Sequence, residues 1–157
     1  LSSVFREKLK NMSADQRERR YSNVGDPERR SRYISTFESG VGSHYVFEGI
    51  ANYEKLFNNM EKTLDDGREW LLGENYSLAD ITLTPFVARL YYLTFLGIWL
   101  ENRPGVRAWW DRAKSRPCFD VAIDNPLTDM EKKEMETYGS KVKEKIRERR
   151  KEYLANY

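Results

Sequence analysis

The stretch that decides the fold is residues 70–81, with the sequence WLLGENYSLADI. With Ser77 as the N-cap of a helix, Asp80 occupies the third helical position, where its carboxylate can accept the Ser77 amide while its own amide donates to the Ser77 hydroxyl. Tyr76 and Ile81 flank this pair at the spacing of a hydrophobic staple. No histidine lies nearby, so we interpret Ser77 and Asp80 as a structural capping box, worth about 1–2 kcal/mol, rather than as a catalytic pair.

The helix that this box opens is apolar over most of its circumference. A helix of this kind is expected at the centre of a domain. Pro85 lies inside it and removes one backbone hydrogen bond, so we expect a bend or local loosening over residues 81–85. The apolar residues that define the pattern are Leu83, Phe86, Val87, Leu90 and Tyr91.

Signals of helix starts recur along the rest of the chain. Ser13 and Thr128 open further capping boxes, and Asp26-Pro27 combines a capping side chain with a proline at the first helical position. No period-two pattern bounded by turns indicates a strand. The predicted fold class is therefore all-α, a helical bundle. The strongest helix signal comes from apolar residues at spacings of three and four: Val46, Ile50, Tyr53, Phe57, Met60 and Leu64.

Glycine and proline predict where the helices end. We expect the first helix to end at about Ser22, the second near Gly40 and the long one before Gly67. The last, highly charged helix is expected to be interrupted at Gly139-Ser140 and then to resume.

Composition limits the classes of function. The chain has 157 residues, 39% of them hydrophobic, which is enough for one domain with a core. Its net charge is +2, and the basic residues at 141–152 alternate with glutamates, which favours a solvent-facing helix over nucleic-acid or membrane binding. No apolar run approaches the ~20 residues that span a bilayer.

The single histidine, His44, and the single cysteine, Cys118, provide no ligand set for a metal and no internal disulfide. We expect no metal site, and we interpret both residues as structural or surface positions. One cysteine in 157 residues suits a reducing compartment, so the cytoplasm is the expected location. The chain begins at Leu1 without a charged leader, and we interpret this start as a cut within a longer protein.

Taken together, the motifs resemble the C-terminal domain of cytosolic glutathione transferases. The resemblance covers residues 46–119 and implies a bundle of five or more helices, in which the 46–64 helix packs against the 78–93 helix. It also implies a homodimer. It rests on the order and spacing of the WLLG sequence at 70–73, the Ser77–Asp80 box, the Pro104 helix with Trp109 and Trp110, and the Arg116-Pro117 stop.

A narrower resemblance is to the bacterial β-aryl etherases of lignin breakdown and their fungal relatives, which are also glutathione-dependent. It rests on residues 10–13, the helix from Ser13, the insertion around 26–37 and the charged tail. We divide the chain into a glutathione transferase C-terminal helical domain at 1–125, with its first helix truncated, and a charged helical extension at 126–157.

The resemblance implies that the parent protein conjugates glutathione to, or cleaves with it, a small hydrophobic electrophile such as an aryl ether. Glutathione would be bound mainly by an N-terminal thioredoxin-like half that has no counterpart in this sequence. No catalytic residue is therefore carried over to the chain, which is predicted to be inactive alone. The domain would shape the acceptor pocket, with aromatic walls that suit aromatic substrates. The candidate substrate-binding residues are Phe5, Tyr91, Tyr92, Phe95 and Trp99.

An alternative from another class stays open. Similar helical domains occur attached to translation factors and aminoacyl-tRNA synthetases, where they bind partner proteins and catalyse nothing. The chain would then be a non-catalytic interaction module, or an intact helical binding domain. Residues upstream of Leu1 distinguish these readings, because a thioredoxin-like unit with a cis-proline and a Ser, Cys or Tyr near its start means a transferase.

Overall fold

The structure, a computed structural model, describes residue 6 and residues 9–156. Within this part of the chain no β-strand forms, and the predicted all-α class is confirmed. The helices are α1 (Ala14–Ser22), α2 (Pro27–Ser39), α3 (His44–Leu64), α4 (Leu78–Tyr92), α5 (Leu96–Trp99), α6 (Pro104–Lys114), α7 (Pro117–Phe119) and α8 (Asp129–Asn156). A 3-10 turn at Gly40–Gly42 follows α2, and a π-helical turn at Asp120–Asp124 follows α7.

The chain divides into two compact units. Residues 1–51 and 141–157 form what we call the terminal unit, and residues 52–140 form the central unit. Because α3 and α8 are long, each of them contributes to both units. The sequence-based boundary after residue 125 stays a prediction.

In the terminal unit, the first two helices begin at the predicted caps. The Ser13 amide donates to Gln16 Oε1 at 2.9 Å and the Gln16 amide donates to Ser13 Oγ at 3.2 Å, which completes a capping box. Asp26 Oδ1 accepts the Arg29 amide at 2.6 Å at the start of α2. Both helices also end where glycine and turn residues predicted, at Ser22 and Ser39.

The end of α8 belongs to the terminal unit and joins it through an aromatic contact. The ring of Phe47 lies 6.0 Å from that of Tyr153, and the Arg149 guanidinium lies 4.7 Å from the same Phe47 ring. On the charged surface of this helix Arg149 also pairs with Glu152 at 2.7 Å. The tail is therefore a charged helix, as the sequence predicted, and Tyr153 is an apolar contact that it makes with α3.

The core of the central unit is built on α3 and α4. The predicted helix is confirmed, and of its apolar stripe Phe57, Met60 and Leu64 are buried in this unit. Ile50 is buried as well and belongs to the terminal unit. Polar groups of the same helix hold the start of α6. Glu61 accepts the amides of Gly105 at 3.0 Å and Val106 at 2.8 Å, and so caps that helix from a distance in sequence.

A buried ion pair also joins these elements. Arg103 donates to the Glu54 carboxylate, to Asn58 Oδ1 at 2.6 Å and to the Trp99 carbonyl at 2.6 Å. Both charged side chains are buried, with 8% and 2% of their surface exposed. A buried pair of this kind is tolerated only when further hydrogen bonds satisfy it, as they do here.

The capping box at the start of α4 makes hydrogen bonds beyond its own helix. Asp80 Oδ2 accepts the Ser77 amide at 2.9 Å and the Ser77 hydroxyl at 2.6 Å. Oδ1 accepts the Leu71 amide at 3.0 Å and the Trp109 indole Nε1–H at 2.8 Å. The residue is fully buried. It therefore joins the 70–73 turn, the start of α4 and the middle of α6, beyond the cap that the sequence predicted.

These donors decide the ionisation of Asp80. Burial alone would raise the pKa of this carboxyl, but the hydrogen bonds from Ser77, Leu71 and Trp109 outweigh burial and hold the pKa below its usual value. The carboxylate is thus charged at neutral pH. The hydrophobic staple expected between Tyr76 and Ile81 stays a prediction. The ring of Tyr76 packs on Trp70 at 4.8 Å, and Ile81 is 49% exposed.

Helix α4, which we expected at the centre of the domain, is buried on one side only. Val87 and Leu90 are buried, whereas Leu78 is 78% exposed and Phe86 is 53% exposed. Pro85 is exposed as well, within an uninterrupted helix. The apolar composition of α4 therefore reflects one buried side and one apolar side that the described chain leaves open. The bend expected at Pro85 stays a prediction.

The predicted interruption of the last helix at Gly139-Ser140 is wrong. Helix α8 runs without a break from Asp129 to Asn156. Gly139 is buried inside it, and a Cβ atom there would overlap the carbonyl oxygen of Leu93 and lie 2.8 Å from the carbonyl carbon. The glycine is thus explained by close packing of α8 against the end of α4, which overrides its weak helix propensity.

Among the described residues, 6 and 9–156, no helix is long and apolar enough to cross a membrane.

Replacing Asp80 by asparagine tests the buried carboxylate. Asp80→Asn keeps the shape and one acceptor oxygen, which can still accept the Leu71 amide and the Trp109 indole N–H, but it removes the charge and turns an NH2 group toward the Ser77 amide. Because an unsatisfied donor costs about 1–3 kcal/mol and hydrogen bonds to a charged acceptor are stronger than neutral ones, we expect urea unfolding at pH 7 to show a loss of about 2–3 kcal/mol. Thr128→Ala at the exposed capping box of α8 is the matched control, with an expected loss of about 1 kcal/mol.

The same pair of proteins gives a pH dependence with a defined sign. Because the folded pKa of Asp80 is lowered, its contribution to stability is present above the unfolded carboxyl pKa of about 3.9 and is lost as the pH falls through the folded value. The difference between wild type and Asp80→Asn should therefore shrink in acid. A small loss at pH 7 that does not change with pH would contradict the assigned role.

Replacing Gly139 by alanine tests the contact between α8 and α4. Helix propensity alone predicts a gain of about 1 kcal/mol, whereas overlap with the Leu93 carbonyl predicts a loss of about 1–3 kcal/mol. Gly49→Ala in α3 is the control, because nothing lies within 4 Å of its Cβ position. We expect thermal unfolding to show opposite signs for the two variants, and a stabilised Gly139→Ala would refute the contact.

Candidate functional site

The structure separates the residues expected to bind substrate into two groups. Tyr91 and Tyr92 end α4 and line an open cleft in the central unit. Phe95 and Trp99 are buried instead, and the Trp99 ring packs 5.6 Å from that of Tyr53 and 6.4 Å from that of Phe57. Phe5 lies outside the described residues. Substrate contact by any of the five stays a prediction, and of the four that the structure describes Tyr91 and Tyr92 line the cleft.

The cleft has a volume of about 760 Å³, which is in the usual range for a small-molecule site. It is formed by the end of α4, the end of α6, the α7 region with the π-helical turn, and the start of α8. Its lining residues are Tyr91, Tyr92, Thr94, Lys114, Phe119, Asp120, Asp124, Asp129, Lys132, Lys133 and Glu136.

One side of the cleft is aromatic. The Tyr91 ring lies 5.4 Å from that of Tyr92 and 5.6 Å from that of Trp110, and the Trp110 ring lies 5.7 Å from that of Phe119. These distances are those of favourable edge and tilted ring contacts. The buried Trp110 thus supports Tyr91 and Phe119 from behind, and the exposed ring of Tyr91 offers a surface for a flat apolar ligand.

The opposite side is polar, and three of its groups are bonded to one another. Asp124 Oδ1 accepts the Tyr92 hydroxyl at 2.5 Å, and Asp124 Oδ2 accepts Lys132 Nζ at 2.7 Å. Hydrogen bonds from Lys132 and Tyr92 lower the pKa of Asp124. Burial and the bond to Asp124 raise the pKa of Tyr92, so its phenol stays protonated at neutral pH and fixes the ring.

Lys114 is a cation beside the aromatic side of the cleft. Its Nζ donates to the Tyr91 hydroxyl at 3.3 Å and lies 4.5 Å from the centre of the Tyr91 ring. A cation in this position is attracted by the ring face and adds positive potential beside it. The aromatic surface of the cleft is therefore next to a cation that can attract an electron-rich substituent.

Thr94 is the strained residue of the site. The Phe95 amide donates to the Leu90 carbonyl at 2.8 Å and the Thr94 amide donates to the Tyr91 carbonyl at 2.9 Å, which is a Schellman end for α4. The motif places Thr94 at φ 64°, where glycine is usual. A β-branched residue in this conformation costs about 1–2 kcal/mol. Among the described residues no partner accepts or donates to its buried Oγ1.

Sequence reasoning missed most of the cleft. Lys114, Phe119, Asp124 and Lys132 come from segments that only the fold brings to the end of α4. Thr94 carried no signal either, since a helix end of this type is normally recognised by glycine.

The single cysteine and the single histidine, which the sequence analysis considered, are not among the residues that line the cleft. Cys118 is exposed, and His44 lies against the ring of Tyr45 at 3.9 Å. Within the described ranges no group of three or more His, Cys, Asp or Glu side chains could hold a metal ion.

Comparison with protein families matches residues 16–112 to the family described as glutathione S-transferase, C-terminal domain. This match covers more than half of the chain. The chain belongs to that family. The family assignment made from the Ser77–Asp80 box and its flanking motifs is thereby confirmed, whereas the β-etherase-like subgroup stays a prediction.

Several curated proteins are similar to parts of this glutathione transferase domain. A tetrachloro-p-hydroquinone reductive dehalogenase of Sphingobium chlorophenolicum is 31% identical over 49% of the chain and 30% of its own length. Glutathione S-transferase F13 of Arabidopsis thaliana is 32% identical over 47% of the chain and 33% of its own length. The disulfide-bond oxidoreductase YfcG of Escherichia coli is 37% identical over 45% of the chain and 31% of its own length.

The matched part of the chain thus spans about a third of the length of these curated relatives. No solved structure gave a significant match.

Proposed function

We propose that this domain is the acceptor-binding half of a glutathione transferase that conjugates glutathione to, or cleaves with it, a hydrophobic aromatic electrophile such as an aryl ether. The observation that carries the proposal is the cleft at the end of α4, where aromatic rings form one wall and charged groups the other. Family membership supports glutathione as the co-substrate. The relatives' names, a dehalogenase of a chlorinated hydroquinone among them, are compatible with an aromatic acceptor.

In this proposal the cleft binds and orients the acceptor and supplies no nucleophile. Tyr91 packs against the aromatic ring of the acceptor, and Tyr92 is held by Asp124 so that the wall stays rigid. Lys114 attracts electron-rich substituents. A pre-organised aromatic wall positions the electrophilic carbon for attack, which is a contribution of proximity rather than of acid–base chemistry.

Glutathione is assigned to a thioredoxin-like half, as the resemblance to cytosolic transferases implies. Its thiolate forms a C–S bond at the electrophilic carbon, and in an aryl ether the C–O bond breaks and the phenol leaves. The proposal includes a homodimer and a cytoplasmic location, both of which the resemblance to cytosolic glutathione transferases implies. Within the β-etherase-like subgroup an aryl ether is the expected acceptor.

Steady-state kinetics of the complete protein test this function. We expect glutathione-dependent turnover of chlorodinitrobenzene or of an aryl ether, and no turnover by the 157-residue chain alone, which carries no assigned nucleophile. Tyr91→Ala should raise the KM for the aromatic acceptor about tenfold and leave the KM for glutathione unchanged, since loss of one aromatic wall is worth about 1–1.5 kcal/mol.

Leu72→Ala is the control, because Leu72 is an exposed apolar residue in the turn before α4, at the other end of that helix from the cleft. It should leave both KM values unchanged. A complete protein that consumes no glutathione with any electrophile would overturn the proposal in favour of a non-catalytic interaction module. Turnover by the 157-residue chain alone would contradict the assignment of the chemistry to another half.

A further inference from the structure

Thr94 combines three properties that are seldom found together. It lies in the left-handed backbone region, it lines the cleft, and its hydroxyl is buried without a hydrogen-bond partner among the described residues. The left-handed backbone and the unpaired buried hydroxyl each destabilise the fold relative to glycine at this position. A residue that weakens the fold in two ways, and that reaches a binding cleft, is a candidate for a role in the ligand complex.

The surrounding structure keeps this residue in its strained conformation. On one side the Schellman hydrogen bonds fix the peptides around it. On the other side Gly139 of α8 packs directly against the carbonyl of Leu93, so the backbone just before Thr94 cannot relax outward. The strain is therefore stable, and the side chain of Thr94 is held at the edge of the cleft.

Its hydroxyl is buried in the free protein and reaches a ligand in the cleft by rotation of the side chain. The neighbouring polar groups Tyr92, Asp124 and Lys132 are bonded to one another. Because no hydrogen bond holds the present rotamer of Thr94, rotation about its Cα–Cβ bond breaks none. A hydroxyl can both donate and accept, so it matches a ligand group that does the same.

We propose that Thr94 is a specificity-determining residue of this cleft, and that its hydroxyl hydrogen-bonds the hydroxyl group of a phenolic ligand whose ring packs on Tyr91. The inference rests on the cleft being the acceptor site, as proposed above. Lys114 beside the Tyr91 ring favours a ring with an electron-rich oxygen substituent. The ligand class is therefore a phenol, as a free acceptor or as the phenolic product of ether cleavage.

The test uses the 157-residue chain and two probes of the same shape, 4-nitrophenol with a ring hydroxyl and nitrobenzene without one. Binding is followed by NMR titration, and stability by urea unfolding. Thr94→Val removes the hydroxyl and keeps the branched shape. We expect its Kd for 4-nitrophenol to rise about fivefold, the value of one neutral hydrogen bond, with the Kd for nitrobenzene unchanged. Its urea midpoint should not fall, because the hydroxyl has no partner in the free protein.

Two further variants separate binding from folding. Thr94→Ser keeps the hydroxyl and should keep the wild-type Kd for 4-nitrophenol. Thr94→Gly relieves the backbone strain, so it should raise the urea midpoint while it weakens 4-nitrophenol binding as Thr94→Val does. Opposite movements of stability and affinity at one position are not expected of a residue with only a structural role.

Tyr91→Ala distinguishes failure of this inference from failure of the proposed site. If Tyr91→Ala weakens both probes and Thr94→Val changes neither, the cleft stands and the role of Thr94 is refuted. If neither variant affects either probe, or if the wild-type chain binds neither, the cleft itself is not the aromatic site. A large loss of stability in Thr94→Val would assign the hydroxyl to the fold and also refute the inference.

Discussion

The carboxylate of Asp80 is the contact on which the central unit depends. Burying an isolated charge is strongly unfavourable, and it is tolerated only where hydrogen bonds replace those of water. Here the donors come from Ser77, from the Leu71 amide and from the Trp109 indole. One side chain thereby fixes the start of α4 to the preceding turn and to α6, and the direction of α4 follows from it.

The far end of α4 is fixed by backbone packing rather than by charge. Helix α4 has 15 residues, from Leu78 to Tyr92, so it is about 22 Å long at 1.5 Å per residue. At the second end the close approach of Gly139 to Leu93 sets the position of α8 against α4. With both ends of the helix held, the cleft walls at Tyr91 and Lys132 are carried by rigid elements, which is the arrangement that precise ligand positioning needs.

The parts of the fold that sequence predicted are those decided by near neighbours in the chain. Caps such as Ser13 with Gln16 and Ser77 with Asp80 involve residues three apart, and the α3 stripe repeats every three or four residues. Errors arose where distant segments decide the outcome. Gly139 was expected to break a helix because its propensity is low, but a long-range contact explains why glycine is there.

The same limit applies to the site. Tyr91, Phe95 and Trp99 are close in sequence and share aromatic character, so the family resemblance suggested that they belong to one pocket. The left-handed turn at Thr94 reverses the chain between them. It leaves Tyr91 at the cleft and sends Phe95 and Trp99 into the core. Exposure of Leu78 and Phe86 was unpredictable for a related reason, since an apolar pattern shows which side chains avoid water but not which element covers them.

The contacts that hold α4 and α6 lie in the part of the chain that matches the family, whereas the cleft also draws residues from beyond it. Asp80, Trp109 and the Glu61 cap of α6 all lie within residues 16–112, the part that matches the family. Tyr91 and Thr94 lie within it too, but Phe119 on the aromatic side and Asp124 and Lys132 on the polar side lie beyond residue 112. The matched segment can thus keep α4 and α6 in place while the following segment changes the cleft.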